Sequence, residues 1–269
     1  MRERTDSKET PTATVARVTA LLDTFVDSSG ELGITEIANR LGLAKSVVHR
    51  LVTALAKSGY LTQAATTRRY SLGPRATRLG QAAMGQMDIR ARARPVLREL
   101  ARATGETATL STIAGDERIY AEQVESAQPV RQSVQIGTRA PLYLGASGKA
   151  MLAFLPEVRR SAILARAVTS KVTTADGRRL DVKALNSELT TIRRRGFATS
   201  QAERITGAVS SAAPLFDHHN EVIGALSIAS VTVRHGRADL VKFGDLVRRA
   251  AERLSTELGS SSPTREKVL

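Results

Sequence analysis

Apolar residues recur at helical spacing near the start of the chain. Val15, Val18, Leu21, Leu22 and Phe25 share one face of a helix that begins about Thr14. The polar run from Asp27 to Gly30 ends it. A shorter helix follows, with Thr35 as its N-cap and Ile34, Ile37, Ala38 and Leu41 turned inward. The third amphipathic stretch is LGLAKSVVHRLVTALAKSGYL, residues 41–61. On a wheel of 3.6 residues per turn, Val48, Leu51, Val52 and Leu55 fall on one side. Ser46, His49, Arg50 and Thr53 fall on the other, with Lys45 beside them. Gly59 stands where a glycine commonly ends a helix. The next segment, LTQAATTRRYSLG, reads as two short strands around a polar turn. Two helices, a turn, a third helix and a two-stranded ribbon are the order of a winged helix-turn-helix.

Residues 74–87 are again helical in pattern, with Ala76, Leu79, Ala82, Ala83 and Met87 as the stripe, and are expected to form a linker helix. A helix over 89–104 stops at Gly105. The period then drops from 3.6 to 2. TATLSTIAGDERIYAEQV is two strand-like runs around Gly115-Asp116, a hairpin turn. VRQSVQIG, GFATSQAE, AVSSAAPLF and EVIGALSIASV read as further strands. Helices are expected over 147–155, 158–168, 180–195 and 239–258. The fold class is α+β in two domains. The expected boundaries are a disordered tail at 1–11, the winged helix-turn-helix head at 12–73, the linker helix at 74–89, a larger domain at 90–258 and a flexible tail at 259–269.

Composition narrows the chemistry. The chain has 269 residues, 42% hydrophobic but only 3% aromatic and without tryptophan, so its cores rest on Leu, Val, Ile and Ala. With no cysteine, disulfides, thiolate catalysis and zinc–thiolate sites are excluded. No run approaches the ~18–20 apolar residues of a membrane span. The polar start, MRERTDSKETPT, lacks the apolar core of a signal peptide. A cytoplasmic protein with no membrane partner and no cofactor is expected.

A net charge of +14 suits a polyanionic partner. Its distribution is more telling. From Ile37 to Met87 there is no Asp or Glu, while Lys or Arg stands at 40, 45, 50, 57, 68, 69, 75 and 78. On the third helix, Arg50 suits guanine O6 and N7 or a phosphate. Lys45 suits phosphate, and Ser46 and His49 suit phosphate or base. Val47 suits a thymine methyl. Arg68 and Arg69 lie in the wing turn, within reach of a neighbouring groove or backbone. The competing readings are a solvated basic face or a non-specific architectural DNA binder.

Five motifs, in order, carry a family resemblance: ITEIANRLGLAKSVVHRLVTAL with RRYSLG, then PLYLGASGKAMLAFL, GFATSQAERITGAVSSAAPLFD and VIGALSIAS. Over roughly residues 12–258 the sequence resembles the IclR family of bacterial transcriptional regulators. The resemblance implies a winged helix-turn-helix, a linker helix that helps dimerise, and a C-terminal GAF/PAS-like mixed α/β domain that binds a small effector. It also implies a homodimer or homotetramer on double-stranded operator DNA, with a small organic acid or aromatic metabolite as effector. The family's backbone donors to effector, the two residues before a Gly-Lys pair, map to Ala146 and Ser147. Ser200 stands where family members often carry Asp, and Ser210 where they carry Cys. Glu203 matches a family acid. A serine donates or accepts and is uncharged, so these replacements either admit a different ligand or are small packing residues. The segment around Gly148-Lys149 lacks P-loop spacing. A hydrolase using Ser147, Lys149 or the pair His218-His219 is the catalytic alternative. The histidines read better as a solvated turn, and no enzyme activity is expected.

Overall fold

The structure is a computed structural model, and it describes residues 11–26, 28, 30–85, 88–170 and 172–261. The expected tails over 1–10 and 262–269, residues Asp27 and Ser29, and Met87 of the linker stripe lie outside the described residues. The chain divides into two units, Met1–Met87 and Asp88–Leu269.

The first unit contains α1 (Pro11–Val26), α2 (Ile34–Leu41), α3 (Lys45–Lys57), β1 (Leu61–Gln63), β2 (Tyr70–Leu72) and α4 (Pro74–Gly85). Its core joins Leu21 and Phe25 of α1, Ile37 and Ala38 of α2, and Val48, Val52 and Leu55 of α3 to Leu32, Leu61 and Tyr70. The α1 stripe is shorter than its spacing suggests, because Val15 is 62% exposed. Helix α2 starts one residue before Thr35. Gly33 holds the N-cap position in extended backbone and makes no side-chain capping bond. The turn into α3 is set by Gly42 at φ 63°, a conformation that costs a glycine little. β1 and β2 pair antiparallel, and Leu32 adds a bridge through reciprocal 2.9 Å bonds with Tyr70. In α4, Leu79 is 61% exposed and Ala82 is exposed, so this part of the predicted stripe is not buried in the core of the first unit.

The second unit contains α5 (Ile89–Thr104), β3 (Thr107–Ala114), β4 (Glu117–Val124), β5 (Arg139–Pro141), α6 (Ala146–Leu152), α7 (Glu157–Thr169), α8 (Val182–Arg195), β6 (Ala198–Gln201), β7 (Ala208–Phe216), β8 (Val222–Val231) and α9 (Arg237–Glu257). The six strands form one antiparallel sheet in the order β5-β4-β3-β8-β7-β6. Helices α5 and α9 pack on one face, and α6 packs across β6, β7 and β8. Strand alternation divides the residues between the faces. Ser211 bonds Leu240 O of α9 at 2.6 Å, whereas its neighbour Ala212 joins the core beneath α6 and α8.

VRQSVQIG, residues 130–137, is not a strand. Side chains and an edge residue intercept its backbone: Gln123 Oε1 accepts from Val134 N, Thr107 Oγ1 donates to Gln132 O, and Tyr120 O accepts from Gly137 N. The edge position beside β4 goes instead to β5, which the periodicity did not reveal. Beyond α9, Ser260 is buried and donates to Asn220 Oδ1 at 2.7 Å, so the expected loose tail is pinned through at least this residue.

Candidate functional site

The first candidate surface is built by α3. Burying Val48, Val52 and Leu55 turns Lys45, Ser46, His49, Arg50 and Thr53 to solvent, with Val47 half-buried between the two faces. Among the described residues, Lys45 and Arg50 make no ion pair. The acid-free stretch is less uniformly free in space than in sequence. Glu36 of α2 pairs with Arg40 at 2.8 Å and with Arg69 at 2.7 Å. Arg69 also donates twice to Glu31 O, at 3.0 and 2.7 Å. Its guanidinium thus braces the wing to the loop before α2 and to α2 itself. Arg68, next to it, has φ 56° at the wing tip, and its side chain makes no hydrogen bond or ion pair among the described residues. Arg75 lies over the Tyr60 ring, 5.5 Å from its centroid.

The second candidate site is a cavity of about 60 Å³ on the α6 face of the large sheet. Register explains its floor. Thr107 pairs with Ala229, Ala229 with Ser210, and Ser210 with Ser200, so one row across β3, β8, β7 and β6 lines the cavity. A second row adds Thr109 and Ser227, whose hydroxyls lie 2.6 Å apart. Gly145, Ala146 and Ser147 at the start of α6 form one wall, and Gln132 to Val134 form another. All four residues expected at an effector site, Ala146, Ser147, Ser200 and Ser210, line this cavity.

Lys149 is buried and pairs with Glu203 at 2.5 Å and Glu188 at 2.7 Å. The other Glu203 oxygen accepts from Gly145 N at 2.8 Å. Glu203 therefore clamps the start of α6 to the loop after β6. Sequence reasoning missed Arg118, Tyr120 and Arg204. Arg118 is 2% exposed, and its Nε has no partner. Burial pushes its guanidinium below the usual arginine range, opposed by Tyr120 and reinforced by the charge of Arg204. An arginine inside the alternating run ERIYAEQV was the available signal. Its importance appears only when β4 is paired and α6 is in place. His218 and His219 have ring centroids 3.8 Å apart with planes tilted by 43° in the β7–β8 turn, and neither lines the cavity.

Comparison with known proteins assigns the two units together. Residues 14–65 match the IclR helix-turn-helix domain, and residues 81–256 match the bacterial transcriptional regulator IclR C-terminal domain. The chain belongs to the IclR family. The Escherichia coli HTH-type transcriptional regulator XynR is 34% identical over 91% of this chain and 96% of its own. The regulator BhcR of Paracoccus denitrificans is 37% identical over 89% of this chain and 85% of its own. A crystal structure of an IclR-type regulator from a Silicibacter species, 28% identical, covers 93% of this chain and 97% of its own with a TM-score of 0.80. Like its IclR relatives, the protein is an effector-controlled, DNA-binding transcription regulator rather than an enzyme. Among the described residues, no helix is long and apolar enough to cross a membrane.

Proposed function

We propose that α3 is the operator-reading helix of this IclR regulator, with Lys45, Ser46, Val47, His49 and Arg50 facing the major groove and Arg68 reaching from the wing. The observation that carries this reading is the exposed cationic front of α3, whose Lys45 and Arg50 make no ion pair among the described residues. Unpaired cations there can release counterions from DNA and reach base edges. The protein acts in the cytoplasm as a homodimer or homotetramer, so that two α3 helices meet two half-sites. The second unit's cavity holds the effector, a small organic acid or aromatic metabolite, through Ala146, Ser147, Ser200 and Ser210. Effector control requires unequal affinity for two states of the regulator, and α4 with its flanking residues over 74–89 is the proposed route of coupling.

A genome-wide binding footprint tests this reading directly. The expected result is a discrete set of sites with two-fold symmetry, at which Arg50→Ala loses preference over competitor DNA. Uniform coverage of the genome would favour the architectural alternative.

A further inference from the structure

The cavity wall holds two guanidinium groups and no uncommitted carboxylate. Arg118 donates through Nη1 to Ser111 Oγ, at a long 3.3 Å, its side chain also meets Tyr120, and its Nε has no partner. Its guanidinium lies over the Tyr120 ring, 4.7 Å from the centroid. Arg204 approaches the same ring at 5.5 Å and donates to the Tyr120 hydroxyl. The acid beside them, Glu203, is already occupied by Lys149 and Gly145 N. Neither arginine has an ion-pair partner among the described residues. A buried charge is strongly disfavoured without a counter-charge, and none of the described residues supplies one.

The surroundings look built to keep this charge in place. Tyr120 offers its ring to both cations and its hydroxyl to one. Gly145 has φ 79°, and a Cβ there would stand 3.3 Å from Arg118 Nη2 and 3.5 Å from Arg204 Cδ. The glycine lets the start of α6 close against both side chains. Across the floor, Thr107, Thr109, Ser200, Ser210 and Ser227 present hydroxyls and no charge.

We propose that the buried Arg118, held with the half-buried Arg204 around Tyr120, is the residue that reads the carboxylate of a compact acidic effector, whose charge offsets the Arg118 cation. The proposal rests on the reading of this cavity as the effector site. The carboxylate pairs with the Arg118 guanidinium, as guanidinium–carboxylate geometry favours. The floor hydroxyls serve the remaining polar atoms of the acid. Neutral analogues of the same size are rejected, because they leave the charge uncompensated.

The test uses the full-length protein and calorimetric titration with acetate, lactate, 2-oxobutyrate, malonate and succinate, each beside its amide, and with inorganic phosphate. The variants are Arg118→Gln, Arg118→Lys and Ser147→Leu, each also melted without ligand. At least one carboxylate is expected to bind in preference to its amide and to phosphate. Arg118→Gln is expected to weaken it by about tenfold or more, the scale of a lost charge-assisted hydrogen bond. Arg118→Lys should recover part of that loss, Arg118→Gln should melt no lower than wild type, and Ser147→Leu should abolish binding. If an amide or phosphate binds as well as the best acid, or if Ser147→Leu abolishes binding while Arg118→Gln does not weaken it, the role of Arg118 is refuted and the cavity survives as the effector site. Binding that is indifferent to Ser147→Leu removes the cavity reading as well. If no carboxylate binds, the ligand class is wrong. A fall in ligand-free melting temperature in both Arg118 variants assigns the residue to the fold and overturns the proposal.

Discussion

Arg50 and Arg69 belong to the same acid-free stretch, yet the fold gives them different work. Arg50 stands on the exposed face of α3, whereas Arg69 is held by Glu36 and by Glu31 O. Arg50→Ala should cost about 1–3 kcal/mol of discrimination between operator and mutated operator, the usual worth of a good base contact. Competition gel shifts would measure it, and an unchanged ratio would remove Arg50 from base reading. Arg69→Ala should leave that ratio alone and lower the thermal stability of the protein. Glu106 supplies a pH prediction. Burial pushes its carboxyl upward, but the Arg234 pair and His235 outweigh burial and leave it below the ordinary 4.5. A lowered folded value means the carboxylate stabilises the fold fully above the unfolded value and loses that contribution as pH falls through the folded one. Melting temperature should therefore drop on acidification below about pH 4.5, and Glu106→Gln should flatten that limb while melting lower at neutral pH. The charges of these residues were legible in the sequence. Their partners were not, because Glu36 reaches Arg69 and Arg234 reaches Glu106 only across long stretches of chain.

Helical elements were the most legible, since each carries its own apolar period. α3, α5 and α9 fall close to their predicted limits. The α2 boundary moved because Gly33, with no side chain to cap, occupies the position expected of Thr35. The strand expected over 130–137 failed for a different reason. Alternation describes an extended chain but does not say whether a neighbouring strand accepts its hydrogen bonds, and here side chains took them. Sheet closeness makes its own prediction at Gly224. A Cβ there would lie 2.5 Å from Ser111 O of the adjoining strand, so β3 and β8 would have to separate. Gly224→Ala should destabilise the second unit by roughly 1–3 kcal/mol, the range for overpacking. Denaturant unfolding would show it, and a wild-type midpoint would mean the sheet yields more easily than its geometry implies.

At the scale of the molecule, regulation depends on a head that reads DNA and a sheet domain that binds effector being present in one chain. A fragment ending at Gly73 should bind operator more weakly than the full chain, because the proposed dimerisation residues over 74–89 are lost. Equal affinity from a monomeric fragment would count against that role. Ser147→Leu should fill the cavity and abolish the effector response while sparing operator binding without effector, as gel shifts with and without ligand would report. The sequence alone determined the two-part organisation, the winged head, the face of α3 and the family, because periodicity, charge spacing and motif order are properties of neighbours along the chain. The tertiary structure alone decided that Arg69 is a brace, that Ser200 and Ser210 meet in register, and that Arg118 lies buried beside Tyr120 and Arg204. Those facts depend on which strands pair and which loops return to the sheet, and that information is spread over the whole chain rather than written at any one position.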